Sequence, residues 1–180
     1  MKTLKEQIAE LRAVGYKALP AQAKVAHDAV LLAMHRSGFK LKSAIKGGVV
    51  MSSITGDIRR ATMDMDIDFV HHSISIRSIE RFVRGLNRAI PELEIGIVGD
   101  ITDLKHEDYR GKRVYVSVKD DSLHLPLRTK IDIGVHANLD IEQDPYCFDV
   151  CMDDEGASLL INSCEQIFAE KLRSEKGFGG

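Results

Sequence analysis

Leu4, Ile8, Leu11 and Val14 recur at the spacing of one helix face, and Gly15 stops the segment, so residues 3–14 are predicted to be helical. Pro20 opens a second helix, with Val25, Val30, Leu31 and Met34 as apolar positions and an end near Gly38. Ala44-Ile45-Lys46 reads as a short buried strand running into a Gly47-Gly48 turn, and Val49–Ile54 returns to helix. Asp64–Val70 alternates acid and apolar with period two, a strand pattern. Ile76–Ile90 is helical again and is closed by Pro91. Strands are predicted over Leu93–Thr102, Arg113–Val118 and Leu125–Val135, with a further one over Cys147–Met152. Asn162–Arg173 reads as a final helix capped by Asn162 or Ser163, and the tail SEKGFGG as a frayed end. Helices first, then strands with one long helix among them, imply an α+β or mixed α/β sheet.

The acidic strand carries the most chemical information. Alternate side chains of a strand share a face, so Asp64, Asp66 and Asp68 project together, opposite Met63, Met65, Ile67 and Phe69. Three like charges in a row repel, and an oxygen-only ligand set that neutralises them suits Mg²⁺ or Mn²⁺. A calcium loop of the EF-hand type is excluded, because its required Gly and Glu positions hold Phe69 and Ser75. A solvated edge strand, blunted by charge, is the alternative. Two features favour the metal site. Lys46-Gly47-Gly48 stands at a strand-to-helix junction, where backbone N–H groups can approach a phosphate. Lys130-Ile131-Asp132-Ile133 is a second alternating strand that supplies one more acid, as a two-metal site requires.

Composition sets limits on this picture. With 180 residues, 44% of them hydrophobic, the chain suits one domain spanning 1–180. A formal net charge of −2 implies no global attraction to nucleic acid or membrane, so any polyanion contact is local. Cys147, Cys151 and Cys164 lack paired C-x-x-C spacing and read as small buried or half-buried thiols. The charged N-terminus has no signal-peptide core and no apolar run is long enough to span a bilayer, so a cytoplasmic location is expected.

Gly47-Gly48, an intervening helix, then Arg60-x-Thr62-x-Asp64-x-Asp66, the later Asp132 and finally Ala169-Glu170-Lys171-Leu172 resemble the nucleotidyltransferase superfamily, closest to AbiEii/AbiGii-type toxins of abortive-infection and type IV toxin–antitoxin systems. The resemblance implies an α/β (α+β) nucleotidyltransferase-like mixed β-sheet flanked by helices, with helices preceding it. It implies Asp64 and Asp66 as the metal-binding pair, Asp132 as the third acid, and Gly47 and Gly48 as the triphosphate cradle. Lys171 corresponds to a helix lysine that reaches nucleotide phosphates, Lys46 flanks the cradle, and Arg60 and Thr62 steady the acidic strand. Implied with these are Mg²⁺ (or Mn²⁺), a nucleoside triphosphate substrate, an RNA (tRNA included) or protein acceptor, and a cognate antitoxin. Val49 stands where relatives carry Ser or Thr, Asp68 leaves Asp66/Asp68 open as the operative pair, and the family's C-terminal helical region is not expected within these 180 residues.

Arg77, Arg81, Arg84 and Arg88 line one helix face, either tracking the phosphates of an RNA acceptor or simply solvated. His71 and His72 follow the acidic strand, and ending it is a plainer role for them than binding metal; His106, His124 and His136 show no ligand spacing. Asp153-Asp154-Glu155 reads as a loop without chemistry. Nucleotidyl transfer is the leading expectation. Its competitors are a nucleotide-binding domain without catalysis and a metal-dependent phosphohydrolase.

Overall fold

The computed structural model describes residues 1–58, 62–106, 109–135, 142–163 and 165. Arg60, His136, Cys164, Lys171 and the Ala169–Leu172 motif therefore lie outside the described residues, as does most of the helix expected over Asn162–Arg173. The elements in chain order are α1 (Leu4–Ala13), α2 (Ala18–Arg36), β1 (Ser43–Lys46), α3 (Gly48–Thr55), β2 (Asp64–Phe69), α4 (Ile76–Ala89), β3 (Glu94–His106), β4 (Tyr109–Lys119), β5 (Leu127–Val135), β6 (Gln143–Val150) and β7 (Asp153–Asn162).

Local chemistry accounts for the helices. Thr3 and Glu6 close a capping box at the start of α1, and Asp120 accepts the Leu4 N–H at 2.7 Å, docking the helix on a distant loop. In α2, Pro20 falls in the first turn, where its missing N–H costs nothing. The rest of α2 is buried from Val25 to Met34, as befits a helix surrounded by protein. Ser75 caps α4, whose buried face is Ile79, Phe82, Val83 and Leu86. Its four arginines are exposed on the other side.

The strands form one mixed sheet in the order β3-β4-β5-β2-β1-β7-β6. The acidic strand β2 lies inside it, parallel to β5 and antiparallel to β1, so the edge-strand alternative is overturned. Met65, Ile67 and Phe69 enter the core with the apolar residues of α2 and α4, and Phe69 meets Phe82 edge-on at 5.4 Å.

Two sequence expectations need correction. Asp153-Asp154-Glu155 is not a loop: it opens β7, whose Ala157, Leu159 and Ile161 are buried at period two. Asn162 is accordingly the last residue of that strand and not a helix cap. The alternation was masked by an acidic start and by Gly156, which is needed where the β6 register shifts. Gly156 has φ +74°, and a Cβ there would lie 2.6 Å from the Phe148 carbonyl oxygen. β3 and β4 are also longer than predicted, because their polar outer halves pair with each other across the hairpin and need no buried face.

Candidate active site

Strand register assembles the site. Asp66 is opposite Lys46 of β1 on one side and Asp132 of β5 on the other, while Asp64 is opposite Lys130. Arg113 of β4 is in turn opposite Asp132. Alternation places all of these, with Asp68, on the face of the sheet away from Met65 and Ile67. The sequence-predicted acids Asp64, Asp66 and Asp132 are thus brought together on two adjacent central strands.

Gly47 completes this group. It adopts φ 66°, ψ −140°, a conformation open essentially to glycine, and a Cβ there would stand 2.5 Å from Asp66 Oδ2. Backbone and carboxylate are in direct contact at the mouth of α3. Gly48 approaches Thr62 as closely, with a Cβ position 2.7 Å from Oγ1. Thr62 Oγ1 donates to the Asp64 carbonyl at 3.0 Å, so this residue ties the entry of β2 to the turn before α3.

The four carboxylates differ in environment. Asp68 is fully buried, held by Lys46 Nζ at 2.9 Å and by Asn162 Nδ2 at 2.9 Å. Asp132 is gripped by the Arg113 fork, Nε to Oδ1 at 2.8 Å and Nη2 to Oδ2 at 2.9 Å. Asp64, half-exposed, meets Lys130 Nζ at 2.7 Å. Asp66 forms no ion pair among the described residues. Burial lifts its pKa to about 6, with Asp132, Asp64 and Asp68 adding repulsion and Lys46 opposing it.

An all-oxygen cluster with surplus negative charge fits a hard divalent cation, and Asp64, Asp66 and Asp132 are the residues that would hold it. As they stand, no three His, Cys, Asp or Glu groups among the described residues are at metal-holding separation, and Asp64 and Asp132 are each paired with a cation. The histidines after β2 take no part in this cluster: His71 is exposed, and His72 packs its ring on Phe39 and Phe69. Cys147 is exposed, against expectation. The Cys151 thiol donates to buried Asp28 at 2.9 Å, and burial pushes it up to about 12, leaving it inert.

A cavity of about 250 Å³ lies beside this site, between α2, α3 and β6, lined by Lys24, His27, Asp28, Ser52 and Phe148. It includes none of the clustered acids and borders their site through Thr62. His27 is buried in its wall, and desolvation, with Lys24, lowers its pKa to about 4 against the pull of Asp64 and the Met63 backbone. The unfolded chain takes up this proton near pH 6.5, the folded chain only near 4. Stability should therefore be full above pH 6.5 and fall by about 3 kcal/mol as pH drops towards 4. Urea midpoints at pH 7.5 and 4.5 check this: His27→Gln should flatten the acid side, and an unchanged slope would refute the assignment.

Sequence reading did not assign Arg113, Lys130 or Asn162 to the site. Lys130 was legible in principle, two residues before Asp132 and so on its face. Arg113 and Asn162 depend on strand neighbours that only register reveals.

Known proteins sharpen the picture. The family described as "Nucleotidyl transferase AbiEii toxin, Type IV TA system" matches residues 29–175, spanning the glycine turn, the acidic strand and Asp132. The chain belongs to the AbiEii family. Among solved structures, this AbiEii-family chain is similar to JHP933 from Helicobacter pylori, with 18% identity over 88% of this chain and 58% of that one, at a TM-score of 0.53. It is also similar to an antigenic nucleotidyltransferase-like protein from Paracoccidioides brasiliensis, with 15% identity over 87% of this chain and 68% of that one, at a TM-score of 0.52. These likenesses bear on the fold: a mixed sheet with helices, of nucleotidyltransferase type. The chain spans a little over half the length of JHP933. A search of curated proteins finds no match. Among the described residues no helix is long and apolar enough to cross a membrane.

Proposed function

We propose that this domain transfers a nucleotidyl group from a nucleoside triphosphate to a hydroxyl acceptor, with Asp64, Asp66 and Asp132 as its metal-binding acids. The observation that carries the reading is Asp66 in contact with the Gly47 backbone on one side and in register with Asp132 on the other. Together they join a phosphate-binding turn to a carboxylate cluster within a few ångströms. Asp68, buried under Lys46 and Asn162, then serves as the floor of the site, so Asp64/Asp66 is the operative pair in preference to Asp66/Asp68.

The N–H groups at the start of α3 receive the triphosphate, aided by the helix dipole, and Gly47 and Gly48 keep that approach free of side chains. Lys46 holds Asp68 and adds positive potential beside Asp66. Bound Mg²⁺ or Mn²⁺ supplies neutralisation of the phosphates and a lowered pKa for the attacking hydroxyl. Asp64 and Asp66 would hold the cation on the nucleotide side, and Asp132 would orient the acceptor side. The acceptor hydroxyl oxygen attacks the α-phosphorus in line, the bond from that phosphorus to the bridging oxygen breaks to release pyrophosphate, and the hydroxyl proton passes to solvent. RNA, tRNA included, is the acceptor favoured over a protein hydroxyl, with the exposed arginines of α4 available to its phosphates. In this reading Lys171 contacts the nucleotide phosphates, a cognate antitoxin is the protein's partner, and the cytoplasm is its location.

The test is incubation with each α-³²P-labelled nucleoside triphosphate, Mg²⁺ and total bacterial RNA. Label entering RNA or protein with the wild type and not with Asp64→Ala/Asp66→Ala is expected. Nucleotide binding with no labelled product would instead favour a domain that binds without catalysis, and release of free phosphate a hydrolase. Gly47→Ala is expected to cost about 1–3 kcal/mol of backbone strain and to displace Asp66. Thermal melts and a nucleotide titration check it, and unchanged nucleotide affinity would remove Gly47 from the cradle.

A further inference from the structure

The acid cluster carries its own cations. Arg113 occupies both oxygens of Asp132, and Lys130 occupies one oxygen of Asp64 at 2.7 Å. Neither cation lies on the acidic strand or on the glycine turn: Arg113 projects from β4 and Lys130 from β5, each directly opposite its carboxylate in the register. A guanidinium fork fills one lone pair on each carboxylate oxygen and sets a positive charge beside those that remain, so a second cation on the same carboxylate is opposed by lone-pair competition and by charge repulsion. Pairing with Arg113 and ligation of a metal are therefore competing states of Asp132, and the same holds for the Asp64 oxygen facing Lys130.

We propose that Arg113 and Lys130 are resident counter-cations that hold Asp132 and Asp64 ready, compete with free divalent metal for their oxygens, and turn to the polyphosphate when metal and nucleotide arrive together. This inference rests on the nucleotidyltransferase reading of the site and adds positioning residues to it. The two side chains lose their carboxylate partners when metal enters alone. They regain partners of opposite charge only when phosphate oxygens accompany it. Metal and polyphosphate thus bind with positive coupling, and the idle site discriminates against free metal.

The experiment is a Mn²⁺ titration of the intact protein followed by electron paramagnetic resonance, with and without inorganic tripolyphosphate, so that no turnover is needed. Arg113→Met and Lys130→Met are each expected to bind free Mn²⁺ at least about fivefold more tightly than wild type and to lose most of the tripolyphosphate-induced gain. Arg113→Lys, which retains the charge and loses the fork, should fall between wild type and Arg113→Met. Arg128→Met removes an equal charge from an exposed position two residues before Lys130 on the same face, and should change the affinity less than about twofold. Unchanged or weaker Mn²⁺ binding in Arg113→Met and Lys130→Met, with wild-type binding that depends on Asp66, would overturn this inference and leave the site reading standing. Equal tightening by Arg128→Met would overturn it too, as a general field effect. Absence of Mn²⁺ binding in wild type and every variant would overturn the site reading and this inference together.

Discussion

Asp66→Asn should abolish nucleotidyl transfer, by more than about 10³-fold, and at the same time raise the stability of the metal-free protein. The two effects share one cause. Asp66 is largely buried among Asp64, Asp68 and Asp132, and its proton is retained up to about pH 6. In an unfolded chain the same carboxyl ionises near its ordinary value, 3.8. Its contribution to stability is thus fully present below pH 3.8 and is lost as pH rises through 6. At pH 7.5 the folded, metal-free protein bears a penalty of about 3 kcal/mol, which an uncharged asparagine of the same shape relieves. For a chain of this size that corresponds to a melting temperature higher by roughly 6–12 °C. Mg²⁺ added together with a nucleoside triphosphate should reverse the ranking, stabilising wild type and leaving Asp66→Asn unmoved. Melting curves with chelator and with Mg²⁺ and nucleoside triphosphate decide it: a destabilised Asp66→Asn in chelator would mean that Asp66 is a structural residue and not a functional one under strain.

The second large effect lies away from the chemistry. Asp28 is buried on α2, with both oxygens 2.6 Å from Lys24 Nζ, and accepts the Cys151 backbone N–H at 3.0 Å and the Cys151 thiol at 2.9 Å. Lys24 also donates to the Asp149 carbonyl at 3.2 Å, so this one ion pair fastens the turn between β6 and β7 to the central helix. Asp28→Ala leaves a part-buried ammonium and a backbone N–H without their acceptor. It should cost about 3–5 kcal/mol in urea denaturation, far more than an exposed ion pair such as Lys2–Glu10 would. A loss below about 1 kcal/mol would show that water replaces the carboxylate. Because β7 carries Asn162 to Asp68, a marginally folded Asp28→Ala protein should also bind nucleotide poorly.

Much of the fold and of the acid cluster is legible in the order of residues along the chain. Period-two alternation over Asp64–Phe69 puts three carboxylates on one face, and the folded protein keeps them there. Helical spacing locates α1, α2 and α4, and Gly47-Gly48 marks the start of α3, where a Cβ at either position would press on Asp66 or Thr62. These features are local. They depend on steric limits and on burial of one face, both written in neighbouring residues. β7 is not legible for an equally physical reason: its acidic start and Gly156 hide a period that burial against the core makes plain.

The sequence by itself determined the element types, the face that the acids share and the family to which the chain belongs. Tertiary structure alone decided what surrounds each acid. Three aspartates at identical spacing become a buried carboxylate tied to Lys46 and Asn162, a carboxylate against Gly47 with no ion pair among the described residues, and a half-exposed partner of Lys130. Nothing within Asp64–Asp68 distinguishes them. The difference comes from which strand lies alongside and in what register, and those pairings join residues as far apart as Asp68 and Asn162. Charge energies depend on burial and on distance to other charges, and both are set only when remote strands meet.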